Sequence, residues 1–136
     1  MKKIIGLFAV LFLSLPALAN QLDQITPNFK KVRYSYDAKH TPKIEAPDKV
    51  KAGEWFDVKI TIGAGGEHPS LMEHHVHWIA LYKNDVELAR VYLNAVQAKP
   101  QVTFTIALDE STTLKVMEEP NHTAPWVAMK NIRVEK

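Results

Sequence analysis

The pattern that most constrains the fold of this chain is the alternation of apolar and polar residues along several short segments. Segment 55–63 reads WFDVKITIG and segment 102–108 reads VTFTIAL, and in both every second residue is apolar. Because successive side chains of a strand point to opposite faces, this pattern is typical of strands with one buried face. Four further segments are predicted as strands: 77–82, 87–93, 112–118 and 126–135. Short strands separated by turn-prone pieces, without a long amphipathic helix, predict an all-β fold, an antiparallel β-sandwich.

The first 19 residues have a different character from the rest of the chain. A basic start is followed by an apolar run over residues 4–15 and by Ala-Leu-Ala at 17–19. This order is typical of a signal peptide, and the apolar run is shorter than the roughly 20 residues that span a bilayer. We therefore expect cleavage before Asn20, export to the periplasm or another compartment outside the cytoplasm, and no membrane attachment afterwards. Residues 20–38 are polar and predict an extended N-terminal arm, and residues 39–136 form the predicted domain.

Charge and cysteine content exclude several classes of protein. Of the 17 Lys and Arg residues, Lys2 and Lys3 lie in the predicted signal peptide, which leaves 15 basic against 15 acidic residues. A chain without net charge has no electrostatic footprint for nucleic acid or for an anionic membrane. Because the sequence contains no cysteine, disulfides cannot stabilise the exported domain, so a buried apolar core must do so.

The histidines are clustered. Four of the six lie within the segment 67–82, EHPSLMEHHVHWIALY. Three interpretations compete: a metal site, a pH-sensitive surface, and chance clustering on a solvated strand. In a regular strand His75 and His77 would share one face and His74 the other, so the three could not all serve one site. The remaining two, His40 and His122, lie beside prolines in predicted loops, and imidazoles in loops at strand ends favour a metal site.

Three motifs then resemble the superoxide reductase family, that is, neelaredoxin and the iron-binding domain of desulfoferrodoxin. They are KHTP at 39–42, HPSLMEHHVHWI at 68–79 and NHTAPW at 121–126. The family has a K-H-x-P loop, an H-P-x4-H segment that runs into a strand with W-I, and a late C-N-x-H-x2-W loop. The similarity covers residues 38–136, nearly the whole predicted mature chain.

The resemblance implies an immunoglobulin-like β-sandwich with one mononuclear iron and no haem. In the family the iron lies in a plane of four histidines, a cysteine thiolate binds on its axis, and superoxide is reduced to peroxide at the open position. Lys39 corresponds to the lysine that attracts the anionic substrate. The resemblance is compatible with a homo-oligomer and requires an electron donor that the sequence does not identify. The residues that correspond to the iron ligands are His40, His68, His74 and His122, which leaves His75 and His77 as neighbours.

Two departures from the family pattern affect the chemistry. No cysteine is present, and when the late motif is aligned on His122, Glu119 occupies the position of the axial thiolate. Ala38 replaces the active-site glutamate that precedes the lysine in the family. Four nitrogens in a square also suit Cu(II), so copper is the alternative metal.

Three hypotheses follow. The chain is an exported superoxide reductase-like iron protein that acts on superoxide or a related small oxidant, a non-catalytic copper- or iron-binding protein, or a binding module whose metal site has been lost.

Overall fold

A computed structural model describes residues 31–136. The predicted signal peptide and residues 20–30 of the predicted arm lie outside the described residues. The described part of the chain contains eight strands and no helix: β1 (Lys43–Glu45), β2 (Lys49–Lys51), β3 (Trp55–Thr61), β4 (Val76–Lys83), β5 (Val86–Tyr92), β6 (Gln101–Ala107), β7 (Thr112–Pro120) and β8 (Trp126–Glu135). Within these residues no helix has the length and apolar character needed to cross a membrane.

The strands form the two sheets of a β-sandwich, which confirms the predicted fold class. One sheet has three strands in the order β1-β3-β6, and the other has five in the order β2-β8-β7-β4-β5. All six predicted strands are present, with ends within two residues of the expected positions. The pairing is antiparallel except between β2 and β8, which run parallel, so the larger sheet is mixed.

The core lies between the two sheets and follows the alternation in the sequence. In β3, Val58 and Ile60 are fully buried, while the intervening Asp57 and Lys59 are exposed. Each such aliphatic side chain contributes about 1.5–3 kcal/mol relative to an exposed position. Further fully buried aliphatic side chains come from the larger sheet: Ile79, Leu81, Leu114, Val116 and Ile132.

One end of the larger sheet brings three loops together. Val76, the first residue of β4, pairs with Pro120, the last residue of β7, and β8 begins after a short turn at Trp126. The last part of the predicted arm reaches the same end, because Arg33 N–H donates to Pro125 O (2.8 Å) and Val127 N–H donates to Arg33 O (3.0 Å). Loops 31–42, 62–75 and 121–125 therefore meet at this end.

Candidate metal centre

Four histidines from these three loops converge on one point. One ring nitrogen from each lies within 4.8 Å of the corresponding atoms of the other three, in a group made of His40, His68, His74 and His122. We call this group the four-histidine cluster. Nitrogens bound to a common metal at about 2.1 Å lie about 3.0–4.2 Å apart. The Nε2 atoms of His40 and His122 are 3.4 Å apart, inside this range, and the 4.8 Å limit for the whole group lies slightly above it.

The backbone of the 62–75 loop sets the position of His68. Gly63 has φ +80°, and a Cβ atom built on it would lie 2.6 Å from the His68 backbone nitrogen. A Cβ atom on Gly65 would lie 2.5 Å from the Tyr36 hydroxyl, and Gly65 N–H donates to Ala38 O (3.2 Å). Glycine at position 63 therefore allows the loop to fold back onto His68, and glycine at position 65 allows it to pack directly against the loop that carries His40.

Hydrogen bonds leave specific ring nitrogens free for a metal. His40 Nδ1–H donates to Asp37 Oδ1 (2.8 Å), and His68 Nδ1–H donates to Pro69 O (2.8 Å). In both rings Nε2 is then the atom with a lone pair. His68 Nε2, His74 Nε2 and His122 Nδ1 are buried and have no hydrogen-bond partner. Buried polar atoms without partners are costly, and a metal ion would satisfy those that face it.

Two members of the cluster, His68 and His122, favour the neutral imidazole, the form that binds metals. Burial is the main cause that lowers the pKa of His68; the hydrogen bond to Pro69 O raises it, and charge on His40, His74 or Lys39 lowers it. Burial, followed by the charges of the neighbouring histidines, lowers the pKa of His122 to about 4. The hydrogen bond from His40 is the largest cause that lowers the pKa of Asp37, so this carboxylate is ionised at neutral pH.

The Trp126 ring packs against the four-histidine cluster. Trp126 is 5% exposed, and its ring stacks on His40 with a centroid distance of 4.1 Å and an interplanar angle of 14°. The Arg33 guanidinium lies 4.6 Å from the centroid of the same ring. The stacking fixes the plane of the His40 imidazole, while the hydrogen bond to Asp37 fixes its rotation within that plane.

Comparison with known proteins assigns the chain to a family. The family model for desulfoferrodoxin matches residues 33–128. The chain belongs to the desulfoferrodoxin family. It is 36% identical over 112 residues to a protein of Methanocaldococcus jannaschii that is provisionally named a superoxide reductase, covering 79% of this chain and 94% of the relative.

Solved structures agree with this assignment. The superoxide reductase (neelaredoxin) of Ignicoccus hospitalis is 41% identical, with a TM-score of 0.65, covering 71% of this chain and 81% of that structure. The sulfur carrier protein SoxY of Chlorobium limicola f thiosulfatophilum has a TM-score of 0.60 at 14% identity, over 88% of this chain and 96% of that one. The second likeness concerns the fold alone.

Glu118 and Glu119 of this desulfoferrodoxin-family chain are consecutive residues of β7 and lie on opposite faces of that strand. Glu119 Oε2 accepts a hydrogen bond from Trp78 Nε1–H and lies 3.9 Å from His77 Nδ1. Glu118 is fully buried on the core face, with both carboxylate oxygens lacking a hydrogen-bond partner. Among residues 31–136 no carboxylate joins the four-histidine cluster, and the axial role of Glu119 stays a prediction.

Glu118 is the residue that sequence reasoning missed. β7 extends to Pro120, and position 118 continues the buried row of Leu114 and Val116. Burial, followed by the charges of Glu119 and Asp37, raises the pKa of Glu118 to about 9. The alternation in 112–118 contained the signal, because it places residue 118 on the core face.

The other two histidines of the crowded segment lie outside the cluster. His75 N–H donates to Asn121 Oδ1 (2.9 Å), and its Nδ1 lies 3.1 Å from Leu71 O. His77 is exposed on β4 and packs edge-on against Tyr92. The argument from strand alternation does not apply to His74 and His75, because β4 begins only at Val76.

Proposed function

We propose that this protein is an exported, superoxide reductase-like protein that binds one non-haem iron in the four-histidine cluster and reduces superoxide or a related small oxidant. The observation that carries the proposal is the convergence of four imidazole nitrogens within 4.8 Å. Membership of the desulfoferrodoxin family supports iron as the ion. The composition of residues 1–19 supports export to the periplasm.

The iron would supply the one-electron reduction, and the chain supplies the surroundings. Lys39 is exposed, and its charge reaches His68. A cation at the edge of the centre attracts the superoxide anion and raises its local concentration. An open cavity of about 570 Å³ borders His68, but none of the other three histidines of the cluster lines it.

The reaction determines what else the protein requires. Reduction of one superoxide anion takes one electron and two protons and yields hydrogen peroxide. An external one-electron donor must therefore reach the protein in the compartment to which it is exported. The rings of His40 and His68 are held by hydrogen bonds, and His40 also by stacking, so little rearrangement is needed when the ion changes oxidation state.

A second candidate function is copper binding without turnover. Within residues 31–136 the cluster offers nitrogen ligands only, and a four-nitrogen set suits Cu(II), which binds such sites more tightly than Fe(II). No thiolate or carboxylate in the cluster selects for iron.

Metal analysis of protein isolated from the periplasm, from cells supplied with both metals, tests the two candidates. Iron, together with superoxide consumption that yields peroxide without oxygen, supports the reductase. Copper without superoxide consumption supports the second candidate. Protein that carries neither metal and binds neither in vitro would overturn both and favour a binding module.

A further inference from the structure

We infer that Asp37 is a positioning residue for the metal centre: its carboxylate holds His40 so that Nε2 faces the ion, and its negative charge strengthens His40 as a ligand. This inference rests on the proposed metal binding by the four-histidine cluster. Asp37 lies outside the four-histidine cluster and acts through its hydrogen bond to His40.

The hydrogen bonds of Asp37 are directed at His40. Its Oδ1 accepts three of them: from His40 Nδ1–H (2.8 Å), from His40 N–H (3.0 Å) and from Lys39 N–H (2.9 Å). The backbone on either side is fixed as well, since Asp37 N–H donates to Thr41 Oγ1 (2.8 Å) and Thr41 N–H donates to Asp37 O (2.9 Å). The Asp37 carboxylate therefore lies in a closed turn and is hydrogen-bonded to the ring of His40.

This arrangement leaves His40 with one orientation. An ionised carboxylate only accepts hydrogen bonds, so the shared proton belongs to Nδ1 and the lone pair to Nε2. Nε2 lies 3.4 Å from Nε2 of His122, inside the four-histidine cluster. A carboxylate that accepts from the remote nitrogen of a liganding histidine fixes its tautomer and raises its basicity.

The Asp37 carboxylate lies next to the position at which this loop departs from the family pattern. Ala38 stands where the family has a glutamate before the lysine, and Asp37 places a carboxylate one residue earlier. In this chain the acidic group of the loop is directed to a ligand. Its charge therefore acts on the ion through His40.

Isosteric variants separate this role from a purely structural one. Asp37→Asn keeps an oxygen that accepts from the two backbone N–H groups but removes the charge, whereas Asp37→Ala removes both. Asp57→Asn is the matched control, because Asp57 is exposed on β3 and its Oδ1 accepts from Thr105 Oγ1 (2.7 Å). This control removes the same charge at a position on the smaller sheet.

The first measurement is Fe(II) affinity under anaerobic conditions, by competition with a chelator. Asp37→Asn is expected to lower the affinity by about tenfold or more and to raise the midpoint potential of the bound iron, because a negative charge near the ion favours Fe(III). Asp57→Asn is expected to change neither. Wild-type affinity and potential in Asp37→Asn would overturn the inference and reduce Asp37 to a turn-forming residue.

The second measurement needs no metal. Nitrogen NMR of the metal-free protein is expected to show His40 with its proton on Nδ1, and Asp37→Ala is expected to shift it toward the Nε2–H tautomer. An Nε2–H tautomer in the wild type would contradict the inference. His40→Ala is measured in parallel: if it binds Fe(II) as tightly as wild type, the proposed cluster itself fails. If it loses binding while Asp37→Asn does not, only the role of Asp37 fails.

Discussion

Replacing Glu118 with glutamine should stabilise the metal-free protein, and by an amount that grows with pH. The Glu118 side chain is fully buried, and burial raises its pKa from 4.5 to about 9. At neutral pH the folded state therefore holds a proton that the unfolded state releases. Because the unfolded state binds fewer protons between these two pKa values, the free energy of unfolding falls as pH rises through that range.

The size of the effect follows from the pKa difference. Each pH unit above 4.5 costs about 1.4 kcal/mol of stability until the folded-state pKa is reached. The cost is below about 1 kcal/mol at pH 5, about 3 kcal/mol at pH 7 and between 4 and 5 kcal/mol, roughly, at pH 8. Glutamine has the shape of the neutral acid and no proton to lose. The variant therefore does not lose this stability as pH rises.

Urea unfolding of chelator-treated protein, followed by circular dichroism at pH 5, 7 and 8, measures the difference between wild type and Glu118→Gln. Both proteins contain the same histidines, so their contribution cancels in the difference, which reports on position 118. Glu54, whose side chain is 64% exposed, provides the control, and Glu54→Gln should stay within about 0.5 kcal/mol of wild type. A Glu118→Gln difference that is the same at pH 5 and pH 8 would refute the reasoning.

Three further predictions concern the metal and the predicted signal peptide. Alanine at any member of the four-histidine cluster should lower metal affinity by at least about tenfold in a chelator competition. The variants His75→Ala and His77→Ala should lose much less affinity. Equal losses would show that the proposed set of ligands is wrong. Iron-loaded, oxidised protein should lack thiolate-to-iron absorption, since the chain has no cysteine. If the Glu119 carboxylate binds the iron on its axis, Glu119→Ala should alter the visible spectrum. An identical spectrum would show that Glu119 is not a ligand. Mass spectrometry of exported protein should show Asn20 as the first residue, and retained Met1 would contradict export by cleavage.

The sequence was sufficient for the long strands and for the grouping of the histidines. β3 and β6 show alternation over several repeats, and local side-chain direction alone produces that pattern. The four clustered histidines could be grouped only through the resemblance of the three motifs to the superoxide reductase family, because residues 40, 68 and 122 lie on separate loops. Periodicity contains no information on how such loops meet.

The features that were missed depend on tertiary pairing. β1 and β2 have three residues each, too few to show alternation, and the parallel pairing of β2 with β8 joins residues far apart in the chain, such as Lys49 and Arg133. The burial of Glu118 was readable from the pattern but conflicted with the preference of a charged residue for water. Asp37 carried a local signal, because an aspartate commonly accepts hydrogen bonds from backbone N–H groups two and three residues later.

The charges around the four-histidine cluster determine which of the two proposed functions is feasible. A thiolate on the axis stabilises the oxidised ion, so a centre with four neutral imidazoles and no thiolate has a higher reduction potential and is a weaker reductant. Lys39 acts in the same direction, because a nearby cation disfavours the more highly charged ion. Asp37 acts in the opposite direction through its hydrogen bond to His40 (2.8 Å). Reduction of superoxide requires the potential of the loaded centre to stay below that of the superoxide and peroxide couple. With respect to the reduction potential, Asp37 is therefore a group that favours turnover over metal binding without turnover.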